Sequence, residues 1–494
     1  MENKINRITD ILRTDDGISG AMHYTEQISW VLFLKFLNDL EETKCEDAEL
    51  DGKIYNFILD EKYRWSNWAV PKTNGKIDLI NAKSGDDLLE FVNKELFPYL
   101  KSFKSITEDA KSIKYKIGAI FEFLDNRIAN GHTLREILDI IDEMDFHNQS
   151  DLFQLSKVYE DLLKKMGSDG GNSGEFYTPR PLVKVIVDVV DPQVGQTIYD
   201  PSAGSCGFLI DAYNHIRYED IESNKQKELS TKQLKFLSED TFFGNEKTPL
   251  SYVMGVMNMI LHQIESPNIA KKNTLTTDIR GLEEKDRYDC ILANPPFGGK
   301  EKEQIQQNFP IKSNATELLF LQHMMNHLKL NGKCGVVVPE GILFQTNKAF
   351  QSVKKELLER FNVHTIVSLP AGIFLPYSGV KTNVLFFDRN GSTSDIFYYE
   401  VKPSYKLTKN KPIQYEHFKE FLEVWKDRKL TDNSWIVNVN DIKDFDISAK
   451  NPKVKEVIEH KSPIELVENI KDNNNEINSL MSEIESILIG KSID

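Results

Sequence analysis

Between residues 191 and about 390, short apolar runs alternate with stretches of helix length. Strand and helix in alternation leave few options: a largely parallel sheet covered by helices, an α/β layer. The runs occupy 197–200, 241–245, 273–278, 290–293, 334–339, 363–370 and 381–387. The gap between the last two has no room for a crossover helix, so those two are expected to form an antiparallel pair. The expected fold is α/β, with a seven-stranded mixed sheet.

What the runs end in carries the chemistry. The first ends at Asp200 and breaks into Pro201-Ser202-Ala203-Gly204-Ser205-Cys206-Gly207, after which a helix begins. A strand, a turn of small residues and a helix place a ligand at the carboxyl end of a sheet. Glycines there let backbone approach the ligand, and the acid at the strand end suits a cationic ligand better than a pyrophosphate. The second run ends at Glu246, where doubly wound folds grip a ribose diol. The third ends at Asp278. Each tip acid alone reads more readily as a solvated or capping carboxylate than as a functional one; three at successive strand tips favour a site. The fourth run stops at Asn294-Pro295-Pro296-Phe297. The prolines lack N–H donors and fix φ, so the strand ends in a rigid turn carrying one amide and one ring. Such a turn can hold a flat ring with an exocyclic amine, or simply terminate a strand. The loop between the last two runs carries Phe374 and Tyr377; Phe374 reads as a loop anchor or a second wall.

The remaining chain is organised around this layer. At 494 residues, two or three domains are expected. Residues 1–165 read as a helical domain with a buried helix at 28–37 and further helices near 88–100, 113–128, 134–144 and 152–165. The segment 43–84 reads as an irregular excursion. His23, His132 and His147 are isolated and suit surface or cap positions. A Gly/Ser loop at 167–174 leads into Glu175-Phe176-Tyr177-Thr178-Pro179-Arg180-Pro181 and a helix over 182–190. Thr178 is expected to cap that helix with Pro179 at its first position. The loop reads as a linker or as an anion-binding helix start. A catalytic domain is expected over 166–460 and a C-terminal helix over 461–494. Its stripe of Ile470, Ile477, Leu480, Met481, Ile484, Ile487 and Leu488 suits packing on its own domain or docking to a partner helix.

The four cysteines are scattered without a C-x-x-C pair, which argues against a zinc site and a disulfide framework; no metal is expected. No apolar run is long enough to span a membrane, and the N-terminus lacks a signal-peptide core, so a cytoplasmic location is expected. The net charge of −15 is unusual for a lone nucleic-acid binder. Either the substrate is not nucleic acid, or the basic groove is local, or a partner supplies phosphate contacts.

Taken in order, Phe176 to Arg180, Asp200 to Gly207, Glu246, Asp278 and Asn294 to Phe297 resemble an S-adenosylmethionine-dependent adenine-N6 DNA methyltransferase. More narrowly, the chain resembles the modification subunit of a type I restriction-modification system, over nearly its whole length. The resemblance implies a Rossmann-like class I methyltransferase fold with S-adenosylmethionine as cofactor. It implies that Glu175, Phe176, Tyr177, Thr178, Pro179, Arg180, Ser202, Ala203 and Gly204, with Asp200, lie at the cofactor's methionine end. Glu246 would hold its ribose and Asp278 lie near its adenine. Asn294, Pro295, Pro296 and Phe297 would hold the target base. Implied partners are DNA, a second modification subunit, a specificity subunit and a separate motor-nuclease subunit. Alternatives are a solitary adenine methyltransferase, a methyltransferase acting on protein glutamine or RNA, and a cofactor-binding assembly scaffold.

Overall fold

The computed structural model describes residues 2–490, other than 74–75, 79–80, 148, 169–177, 222, 265, 376–377 and 454–462. It divides into two compact units, Met1–Ala449 and Lys450–Asp494.

The larger unit is built on a nine-stranded sheet. Its strands are β1 (Ile198–Asp200), β2 (Phe242–Glu246), β3 (Asn268–Lys271), β4 (Tyr288–Ala293) and β5 (Leu328–Pro339). They continue with β6 (Asn362–Ser368), β7 (Thr382–Asp388), β8 (Asp395–Glu400) and β9 (Ser434–Asn438). The spatial order is β9-β8-β6-β7-β5-β4-β1-β2-β3. From β3 to β5 all neighbours are parallel. β7 then runs antiparallel to both β5 and β6, as the short connection required. Chain order reverses at β1, so the turns after β1 and β4 flank a switch point. Such points hold the ligand in open α/β sheets. All three residues of β1 are buried, as befits a central strand covered on both faces.

Three elements differ from expectation. The third strand lies at Asn268–Lys271, and residues 273–278 instead carry a 3-10 turn, Thr274–Thr276, which the Asn273 side chain caps by accepting from Leu275 N at 3.1 Å. β8 and β9 extend the sheet from seven strands to nine, β8 pairing parallel with β6 and antiparallel with β9. The helix holding the 28–37 run spans Ala21–Leu50, so the start of the expected excursion at 43–84 is helical.

That helix is buried almost all round between Tyr24 and Leu37, the pattern of a core helix. It packs on helices Gln149–Ser168 and Pro249–Leu261. Tyr159 OH donates to Met254 Sδ at 3.3 Å, and Ser29 Oγ, which donates to the Thr25 carbonyl, lies 3.4 Å from the same sulfur. The N-terminal helices thus share one hydrophobic core with the sheet. Cys206, Cys290 and Cys334 are buried free thiols, raised by desolvation. No described helix is long and apolar enough to cross a membrane.

In the smaller unit, helix Pro463–Gly490 carries Val467, Ile470, Ile477, Leu480, Met481 and Ile484, each 50–59% exposed. The side chains of Ile487 and Leu488 lie outside the described residues.

Behind β1, on helix Thr316–His327, the rings of His323 and His327 stack at 3.7 Å. Burial lowers His323 well below the usual histidine range and His327 to about 4; His364 on β6 is likewise lowered to about 4. These imidazoles stay neutral when folded but charge when unfolded. Their contribution is therefore complete above about pH 6.5 and is lost as pH falls toward 4, by up to about 1.4 kcal/mol per pH unit for each histidine. Thermal unfolding should show Tm falling between pH 7 and pH 5, with a smaller fall in His327→Phe; an equal fall in both proteins would remove this histidine from the account.

Candidate active site

At the end of β1 the chain must leave a buried strand. Asp200 is 1% exposed, and its Oδ1 accepts from Ser202 N at 2.9 Å and from Ser202 Oγ at 3.4 Å. The turn is tight: Gly204 has φ +51° and Cys206, which caps helix Gly207–Arg217, has φ 62°. A left-handed non-glycine residue costs energy unless its surroundings hold it. Here Ala203 N donates to Asn245 O at 3.0 Å, and Thr274 Oγ1 donates to the Pro201 carbonyl.

Glu246, at the tip of β2, completes the clamp. Its Oε2 accepts from Gly204 N at 2.9 Å and its Oε1 from Thr248 N at 2.6 Å. One carboxylate thus ties the turn after β1 to the turn after β2. It is 8% exposed. Burial pushes the Asp200 carboxyl up to about 7, and the charge of Glu246 adds to that rise. Among the described residues neither acid of this desolvated corner is held in an ion pair, although Lys247, Lys272 and Lys300 line the same cavity.

β4 delivers the other half. Asn294 Nδ2 donates to Thr178 Oγ1 at 3.0 Å, while its Oδ1 is buried and has no hydrogen-bond partner among the described residues. Pro295 is buried and Pro296 exposed. The Phe297 ring is partly buried and meets Phe374 edge-on, centroids 5.6 Å apart and planes at 71°. Phe374 is 4% exposed, so it anchors Phe297. Tyr377 lies outside the described residues.

The two halves enclose a cavity of about 350 Å³. Ser202, Glu246, Asn294, Pro296 and Phe297 line it; Asp200, Ala203, Gly204 and Pro295 are their neighbours in the chain and do not line it. Thr178 reaches it through Asn294, so its hydroxyl serves the site; the expected helix cap falls instead to Pro179, with Arg180 and Pro181 opening helix Arg180–Val190. Arg180 points elsewhere, into an ion pair with Glu160. Asp278 is not a lining residue. Its exposed carboxylate chelates Arg280, which holds it down at about 2. Glu175, Phe176 and Tyr177 lie outside the described residues. Lining residues missed in the sequence include Asn273 and Thr274, just past β3, and Lys247, Lys272 and Lys300. The correct position of β3 is the signal that finds Asn273, since it then stands just beyond a strand tip as Glu246 does.

Among the described residues one group of metal-ligating type gathers within 4.8 Å: Asp39, Glu42 and His147. It lies among the N-terminal helices, away from this cavity. Lys35 Nζ already sits 2.6 Å from both Asp39 oxygens and compensates that buried charge.

Comparison with known proteins extends the picture. The N-6 DNA methylase family matches residues 148–462, and the HsdM N-terminal domain family matches residues 1–165. The chain is 34% identical, over 98% of its length and 96% of the relative's, to the type I restriction enzyme EcoEI methylase subunit of Escherichia coli. It is 29% identical to the EcoKI methylase subunit of Escherichia coli K12, over 85% of this chain and 75% of that one. Among solved structures, it resembles the modification subunit of a candidate type I restriction enzyme from Vibrio vulnificus YJ016. The TM-score is 0.82 at 36% identity, covering 93% of this chain and 99% of that one.

Proposed function

The chain belongs to the N-6 DNA methylase family, as a modification subunit of the type I restriction enzymes, and we propose that its 350 Å³ cavity is where a methyl group reaches adenine N6. It is an adenine-specific DNA methyltransferase with a methyltransferase fold. The observation that carries the assignment to this cavity is the buried Asn294 Oδ1, which no described residue satisfies. A buried acceptor left unpaired is costly unless a ligand completes it. Thr178 holds the amide nitrogen, so the oxygen is presented to a donor, and the hydrogens of an exocyclic amine are such donors.

The target amine is paired and stacked inside a duplex, so the base must turn out to reach the cavity. Phe297, braced by Phe374, offers a face for it to stack on, worth about 1–3 kcal/mol. Asn294 Oδ1 and the Pro295 carbonyl accept the two N6 hydrogens. That hold draws the nitrogen lone pair out of conjugation with the ring and places two oxygen dipoles against the charge that develops on N6. Asn294 is a neutral amide and takes no proton, which leaves later to water.

The acidic corner fits S-adenosylmethionine, which when bound supplies a methyl group on a positively charged sulfur. Two buried carboxylates that have no ion-pair partner among the described residues support this. Glu246 would hold the ribose hydroxyls with the lone pairs its two N–H bonds leave over. Ser202, Ala203 and Gly204 would meet the methionine end with Asp200, and Asn273, which lines the cavity where Asp278 does not, would serve the cofactor's adenine.

Residues 1–165 would serve as the subunit's helical domain and 166–460 as its catalytic domain. The half-exposed stripe on Pro463–Gly490 suits helix pairing with a specificity subunit, in a cytoplasmic complex of two modification subunits that a motor-nuclease subunit joins for cleavage.

Asn294→Ala should lower the methylation rate by about 100-fold or more while cofactor affinity stays at the parent level; a parent-like rate would sink the assignment. Thr178→Val should fall between the two. Labelled cofactor should mark DNA rather than protein, as read by mass spectrometry.

A cationic ligand favours ionised Asp200, which is mostly protonated in the free protein below pH 7. Calorimetric affinity for S-adenosylmethionine should therefore rise by up to about tenfold from pH 6 to pH 8. Asp200→Asn should bind more weakly and lose that dependence; a variant with the parent's pH profile would exclude Asp200.

A further inference from the structure

Arg180 closes the most recognisable sequence element before β1, yet its guanidinium does not face the cavity. It pairs with Glu160 on helix Gln149–Ser168 and crowds Gly207. A Cβ at Gly207 would stand 1.9 Å from Arg180 Nη1, so the glycine is what admits the guanidinium. Glu160 Oε1 also accepts from Asn258 Nδ2 at 2.8 Å. The same amide nitrogen donates to the Ser205 carbonyl at 3.0 Å. Asn258 is fully buried on helix Pro249–Leu261. One turn earlier on that helix, a Cβ at Gly255 would lie 2.7 Å from Gly204 O and 2.8 Å from Cys206 Sγ. The back of the Pro201–Gly207 turn is therefore seated directly on this helix.

We propose that Glu160 is a positioning residue for S-adenosylmethionine binding: its carboxylate fixes the Pro201–Gly207 turn from behind, through Asn258 to Ser205 and through Arg180 against Gly207. This rests on the turn being the cofactor's, as argued above. Glu160 and Asn258 line no part of the 350 Å³ cavity, so their effect is transmitted through backbone geometry. Glu246 grips the turn from the ligand side and Glu160 from the opposite side. Charge-assisted bonds are the stronger kind, and a turn held from both sides is preorganised for its ligand. Glu160 stands where the two family matches overlap, so the helical segment shapes the cofactor turn directly.

The test uses the full chain and its Glu160→Ala and Glu160→Gln variants. S-adenosylmethionine Kd is measured by calorimetry, Tm by thermal unfolding, and amide hydrogen exchange across 201–207 without ligand. Glu160→Ala should weaken Kd by about tenfold, and Glu160→Gln by less, because its amide oxygen can still accept from Asn258. The amides of Gly204 and Cys206 should exchange faster in the ligand-free variant, and KM should move more than kcat. Parent-like Kd and exchange in Glu160→Ala, even with a lower Tm, would overturn the proposal. Should that variant not fold, Glu160→Gln and Asn258→Ser carry the same comparison. A parent chain that binds no S-adenosylmethionine would refute the cofactor assignment instead, while the ligand-free exchange still reports on the clamp.

Discussion

The structure of the site depends on one carboxylate. Glu246 accepts a backbone N–H from the turn after β1 and another from the turn after β2. Those turns come from neighbouring parallel strands, whose ladder ends at Asp200 and Gly244. β2 continues to Glu246 on its ladder with β3, but beyond Asp200 nothing in the sheet dictates where the first turn goes. A buried charge is expensive unless hydrogen-bonded, and two backbone donors are the compensation here. The same bonds stabilise a left-handed Gly204 and let the strained Cys206 start its helix. Replacing Glu246 would leave two amides without acceptors as well as remove a ligand group, so its structural and functional roles are inseparable.

That clamp creates a tension with Asp200. Burial favours the neutral form of Asp200, the neighbouring charge of Glu246 adds to it, and the carboxyl is raised to about 7. Both acids serve better with a cation between the cavity and the turn than without one. The free protein is thus destabilised at its own site, a common cost of preorganisation. The Asn294 half shows the same logic in neutral form, with an acceptor desolvated in advance of its donor.

How far this was legible from the sequence follows from where each force acts. Central strands were plain because both faces are buried and their residues are nearly all apolar. β3, with the residues Asn-Ile-Ala-Lys, has one apolar face at the edge of the sheet and gave no such signal. The threonines of 273–278 imitate a strand, but Asn273 hydrogen-bonds the following backbone and turns it into a 3-10 helix. Helix Ala21–Leu50 outran its apolar core because the residues after Leu37 are good helix formers with no breaker before Gly52. Thr178 looked like a cap because capping is local; its bond to Asn294, more than a hundred residues away, is tertiary and has no local signature. Asp278 was lost for the opposite reason, since Arg280 two residues on satisfies it locally. Ser202, Glu246 and the Asn294 turn meet on one cavity because they stand at the carboxyl ends of neighbouring strands, a property of the topology, and the topology was readable.

The net charge of −15 then takes on a specific meaning. An aromatic face stacks on any base, and an amide oxygen accepts from any exocyclic amine. Nothing in the Asn294–Phe297 turn distinguishes one adenine in a genome from another. Sequence discrimination needs base-edge contacts in a groove, and non-specific affinity needs phosphate contacts from cations. On the cavity itself Lys247, Lys272 and Lys300 supply positive charge, with Glu301 beside them, against an acidic whole. A chain of this composition can therefore hold a base that is presented to it, but an acidic surface repels the duplex from which that base must come. The physical requirement is for a second, more basic surface that binds DNA and positions it over the cavity. A helix whose apolar stripe is half-exposed from Val467 to Ile484, about five turns, is the kind of element that would fasten such a partner in place.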